Sequence, residues 1–299
     1  MHARCEPRAG RAALPLLLVA VLASAACGGG AATDAARFAP RVNYLSADVP
    51  TLLQRANAWT AASLRAEGQL RMYWSGDEDS RHVDVRLFAA ATGALYLRGS
   101  RSLAGEIFVL VSDGRDFHLT VPDHAAVYTG TSAAPAQPDP ERPYFSLRPQ
   151  HITEALLPEV LPTSNAADSW VSLQTYPDRY ALVWMEMADG EARTRRKVWI
   201  ERVALRVSQI EGFDNDGRIE FIADYSNYLG RGPAAYPGTI EVERVWEELT
   251  FRFDFDNADD VERNPQIPAQ AFQFRPVPPG YRVLTIEQAM EEFRRGGGR

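Results

Sequence analysis

The chain has 299 residues, 45% of them apolar and 10% aromatic, with 32 basic and 39 acidic side chains and a formal charge of −7. That apolar share supplies a sizeable core and excludes a disordered chain, and the acidic balance argues against nucleic acid as a partner. The length suits one large β domain or two smaller ones.

Residues 1–11 carry Arg4, Arg8 and Arg11 against the single acid Glu6, and the apolar run AALPLLLVAVLASAA follows at 12–26. A basic region, an apolar region and small residues before a cut describe a secretory signal peptide. The run is too short and too interrupted, by Pro15, for the roughly 20 apolar residues of a membrane span. Cys27 then stands first in the exported chain, followed by the tether GGGAATDAA. The order resembles the lipobox of bacterial lipoproteins, with Ser24 in place of its usual leucine and Leu22 two residues further upstream. The alternative is an ordinary cut after Ala23–Ala25 that leaves Cys27 unmodified. Cys5 leaves with the signal, so no internal disulfide can form.

Residues 46–66 place Val49, Leu52, Leu53, Ala56 and Trp59 at helical spacing, with Ser46 or Asp48 as N-cap. From there the period becomes two. Leu64, Ala66, Gly68, Leu70, Met72 and Trp74 share one face, and Val83, Val85 and Leu87 repeat the pattern. Further alternating runs, bounded by Gly, Asp, Asn or Pro, predict an antiparallel meander of about eleven to thirteen strands between 64 and 255. So many strands favour a sheet curled into a barrel. Residues 131–168 interrupt it with a Pro-rich loop carrying a short helix, in which Ile152, Leu156, Leu157 and Val160 form an apolar stripe. Pro158 should bend or end that helix near Leu157. The stripe is expected either to lid a barrel mouth or to plug it permanently. FDNDGR (213–218) predicts a tight turn, and YRVLTIEQAMEEFRR a last strand end and a short helix.

No catalytic constellation is visible. His82 and His118 fall on polar strand faces, His124 and His151 in turn and loop contexts, and no pair has zinc-ligand spacing. There is no G-x-S-x-G elbow and no phosphate-cradling glycine loop. The acidic runs at 76–80, 214–217 and 254–262 read as solvated hairpin tips, and RTRRK (193–197) as a solvated strand face. Neither a cofactor nor a metal is implied. The alternative to chemistry is containment: Trp74, Phe108, Leu110, Phe117, Leu119, Trp184, Phe221, Phe251 and Phe253 could line a cavity for one ligand or fill a solid core.

The strand and turn signatures SDGRDFHLTVPDHAAVYTG (112–130), the DG turn before a YPGTI strand, and NP, AFQF and PGYRV within 264–283 resemble the LolA/LolB superfamily of lipoprotein carriers and receptors. The resemblance spans about 45–285. It implies a mostly β fold, an unclosed antiparallel barrel of about eleven strands with an N-terminal helix and a short helical lid. It implies a non-enzymatic binding role for lipid acyl chains or lipoproteins, in the cell envelope. With Cys27 lipidated, it implies an anchored member at the outer membrane, facing the periplasm. The organisation expected is a signal at 1–26, lipidated Cys and tether at 27–44, the barrel domain at 45–285, and a C-terminal helix and tail at 286–299. A second possibility is a structural envelope lipoprotein with a filled barrel that binds a protein partner through its rim.

Overall fold

The computed structural model describes residues 47–74, 81–102, 104–132, 146–232 and 235–296. The signal, Cys27, the tether and the acidic run 76–80 lie outside the described residues. Helix α1 (Val49–Asn57) opens on Asp48, whose side chain accepts a hydrogen bond from the Thr51 amide at 3.0 Å. It is shorter than the helical spacing suggested, because strand β1 already begins at Ser63.

Strands β1 (Ser63–Trp74), β2 (Arg81–Ala90), β3 (Ala94–Arg101), β4 (Gly105–Asp113), β5 (Asp116–Val121) and β6 (Ala126–Thr131) form the first half of a meander. Helix α2 (Pro149–Leu156) interrupts it. The second half comprises β7 (Ser169–Thr175), β8 (Arg179–Ala188), β9 (Glu191–Glu201), β10 (Val207–Phe213), β11 (Ile219–Ser226), β12 (Thr239–Arg244) and β13 (Leu249–Asp254). Two short strands follow, β14 (Val261–Arg263) and β15 (Arg282–Thr285), and helix α3 (Ile286–Gly296) ends the fold.

All strands join one sheet. β1 pairs with β13 and so joins the two halves, and among the described residues β7 and β15 are the two ends of the strand order. The result is a mostly β, curved and unclosed sheet. One pairing departs from the antiparallel expectation: β15 runs parallel to β6, with Val283 opposite Val127. A chain that crosses back after β14 can add such a strand without a hairpin.

The alternation read from sequence sets the faces. Leu64, Ala66, Leu70 and Met72 of β1 are all buried on the concave side, as a period of two requires. Three concave aromatics sit directly opposite a glycine on the neighbouring strand: Phe108 opposite Gly99, Phe117 opposite Gly130 and Phe221 opposite Gly212. Each ring lies over the bare glycine backbone, and a methyl group added at Gly130 would stand 2.8 Å from the Phe117 ring. Phenylalanine over glycine covers the backbone and lets the sheet bend inward there.

The convex side is not uniformly wet. Val109 and Val111 of β4 are buried as well. The C-terminal chain crosses there: the 3-10 turn Ala269–Phe272 lies against β3 and β4, and Phe274 stacks on His118 with centroids 4.0 Å apart. His118 is thus half covered rather than free on a polar face, and that burial lowers its pKa.

Candidate functional site

The concave face is occupied by α1 and α2. α1 lies against β8 and β9, while α2 lies against β2, β3, β4 and β12. α2 has only eight residues, too few to be stable in isolation, so tertiary contacts hold it. Ile152, Ala155 and Leu156 are at most 1% exposed. Its last carbonyls, which have no partner within a helix, accept hydrogen bonds from β11 and from the connection that follows it: Tyr225 Oη donates to Ala155 O at 3.2 Å and Tyr236 Oη to Leu156 O at 2.7 Å. Burial pushes the pKa of both phenols up, so they remain donors.

Those two tyrosines belong to an aromatic chain running through the interior. Trp59 packs on Tyr225 and Tyr236 at 5.0 and 5.7 Å, Tyr236 meets Phe255, and Phe255, Phe253 and Phe251 follow at 6.2 and 6.0 Å. The segment after α2 is tied down by a reciprocal pair. Asn57 Nδ2 donates to Leu161 O, and Leu161 N donates to Asn57 Oδ1, both at 3.0 Å.

Phe108, Leu110, Phe117, Leu119, Trp184, Phe221, Phe251 and Phe253 are all buried and belong to the same core as α2. As the chain stands they pack against one another and the helices, because α2 fills the concavity. The Trp74 side chain lies outside the described residues; its backbone ends β1 opposite Leu249. Of the expected lid stripe, Ile152, Leu156 and Leu157 face the core. Val160 does not join them: the helix stops at Leu156, two residues before Pro158, and Val160 is 54% exposed.

Beside α2 opens a cleft of about 850 Å³. One wall is the segment Leu157–Val160 with Gln150 and Glu154 of α2; the other is formed by Ala61, Thr92, Gly93 and Gly114 at strand ends. Arg195 and Arg196 of β9 also line it. The RTRRK run is therefore not wholly a solvated face. Arg196 is 7% exposed because it shares the inward phase of Val198 and Ile200, both core residues. Its guanidinium donates to Glu159 O at 3.3 Å and stands 4.0 Å from the Glu159 carboxylate.

Around α2 also sits a buried polar group that sequence did not single out: Arg148, His151, Arg244 and Glu247. Arg244 bridges Glu220 at 3.0 Å and Glu247 at 3.3 Å. Burial lowers the Arg148 pKa to about 10. His151, expected in a loop, is inside α2 and buried, and its Nδ1 has no hydrogen-bond partner among the described residues. Burial first, then the charges of Arg244 and Arg148, hold its pKa well below 6.5. The unfolded chain therefore binds the proton more readily. Stability is fully present above pH 6.5 and falls as the pH drops below that value, by up to about 1.4 kcal/mol per pH unit for one proton. His151→Phe is expected to flatten that acid limb of melting temperature; an unaltered limb would assign it to other groups. Among the described residues no three His, Cys, Asp or Glu are placed to hold a metal.

No protein-family model matches the sequence, and no curated protein does. Among solved structures, the chain is similar to a LolA superfamily protein from Nitrosomonas europaea, at 12% identity and a TM-score of 0.47, over 77% of this chain and 99% of that one. A putative outer membrane lipoprotein-sorting protein domain from Vibrio parahaemolyticus aligns at 12% identity and a TM-score of 0.40, over 74% and 93% of the two chains. A DUF1329 family protein from Desulfovibrio piger aligns at 12% identity and a TM-score of 0.47, over 75% and 95%.

Proposed function

We propose that this protein is a non-catalytic carrier that holds lipid acyl chains, free or on a lipoprotein, against the concave face of its sheet. The observation behind this reading is the eight-residue helix α2 seated on a continuous apolar wall, with the mouth cleft opening beside it. A short helix held by tertiary contacts alone opens at lower cost than the sheet beneath it. In the empty protein α2 shields the wall from water; a bound chain enters beside the helix and meets its apolar stripe. Displacement of a fluorescent fatty acid from the purified protein tests this. Saturable binding is expected, and its absence would leave the second reading, a filled structural barrel that meets a protein partner through its rim. The packed interior favours that second reading only if α2 never shifts to admit a chain.

The same proposal places the protein in the cell envelope, anchored through acylated Cys27 to the outer membrane on its periplasmic side. The basic, apolar, small-residue and cysteine order at 4–27 supports it. Among the described residues no helix is long and apolar enough to cross a membrane. Cells fed an alkynyl fatty acid should label the wild-type protein and not the Cys27→Ser variant; equal labelling of both would remove the anchor.

A further inference from the structure

Resting on the carrier reading, the geometry points to a glycerophospholipid with a zwitterionic head as the ligand, its phosphate held by Arg195 and Arg196 and its ammonium by Glu154 in the mouth cleft. The cleft is amphipathic. Leu157, Pro158, Val160 and Ala61 offer apolar surface, and the charged side chains stand among them. Its volume of about 850 Å³ lies within the roughly 300–1,000 Å³ of small-ligand sites. Gly93 and Gly114, both at positive φ, pack backbone against backbone, and that pair forms the opposite wall.

The two arginines carry most of the argument. Five N–H donors radiate from each guanidinium. Arg196 directs its hydrogen bond and its ion pair to one residue, Glu159, and its Nε has no partner among the described residues. Glu159 lies on the very segment that must move for a chain to enter beside α2. Displacing that segment strips Arg196 of Glu159 while Arg196 stays on β9, almost wholly buried. A buried cation left alone is costly, and an anion arriving with the ligand restores the pairing. Arg195 is exposed on the same wall and makes no ion pair among the described residues, so a phosphate can bridge the two.

The carboxylates explain why the head carries both signs. Glu154, fixed by a 2.6 Å hydrogen bond from Gln150 Nε2, lines the cleft from α2. It disfavours a purely anionic head, and a neutral one leaves Arg196 unanswered. An ammonium beside the phosphate meets both requirements.

The test uses the full-length protein and three dioctanoyl lipids with the same chains: phosphatidylethanolamine, phosphatidylglycerol and diacylglycerol. Affinities are read by displacement of a fluorescent fatty acid. Phosphatidylethanolamine is expected to bind about tenfold more tightly than diacylglycerol, the size set by one charge-assisted hydrogen bond, with phosphatidylglycerol between them. Arg196→Gln should lower that ratio by about tenfold, and Arg196→Lys should restore part of it. Should Arg196→Gln not fold, Arg195→Gln, at an exposed site, should lower the same ratio. Glu154→Gln should remove the preference for phosphatidylethanolamine over phosphatidylglycerol. Equal affinities for all three lipids, or ratios that none of these variants alters, would overturn the head-group inference and leave the carrier intact. Binding of none of them would overturn the carrier reading itself.

Discussion

Leu156→Asp is expected to expel α2 from the concave face while the sheet survives. Leu156 is fully buried, and its own carbonyl takes the Tyr236 hydrogen bond, so a carboxylate there is desolvated without a partner. The loss of stability should reach about 4 kcal/mol, in the range reserved for an unpaired buried charge. Far-UV circular dichroism should keep its β signature, since the backbone hydrogen bonds of the strands run from strand to strand and the bonds to α2 come from the Tyr225 and Tyr236 side chains. An apolar dye should bind more, because the wall formed by Phe108, Phe117 and Phe251 is uncovered. Complete loss of the β signature at the same temperature would show that α2 is a permanent part of the core, and the lid reading would end there.

Phe117→Ala is expected to cost about 3–5 kcal/mol, the range for removing a phenyl ring from a closed core. The ring is 1% exposed, lies over Gly130, and has the Arg148 guanidinium 5.7 Å from its centroid. Neither a glycine nor an arginine can collapse into the space left behind, so the cavity should persist. Chemical denaturation reads the change. A loss below about 1 kcal/mol coupled to weaker fatty-acid binding would instead identify the ring as the wall of an open cavity.

Both experiments probe the same boundary, between a sheet that is legible from alternation and a helix whose fate depends on its seat. Phe117 and Phe251 fall on the inward phase of their strands, and nothing beyond the period of two is needed to place them inside. Arg196 obeys the same rule, in phase with Val198 and Ile200, yet its charge suggests solvent. Its burial becomes intelligible only with Glu159 opposite it. His151 reads as a loop residue three positions after Arg148; that it lies inside α2, with Arg244 brought beside it by β12, belongs to the tertiary structure. Trp59, Tyr225 and Tyr236 each look like ordinary core aromatics. That both tyrosine hydroxyls end on the last carbonyls of α2 requires residues 70 and 80 positions apart to meet.

The strands of the meander, the interruption at 131–168, the tight turn at 213–218, the closing helix and the inward phase of the strand residues could be read from the chain alone, whereas Val160, expected on the helical stripe, is exposed. Those properties are local, set by side-chain period, turn chemistry and proline. The tertiary structure decided the rest: β1 joining β13, β15 lying parallel to β6, α2 filling the concavity, and the cleft with Arg195, Arg196 and Glu154 on its walls. Each of these pairs residues far apart in the chain, and such pairings follow from burial and closure of the whole sheet, which no short window of sequence contains.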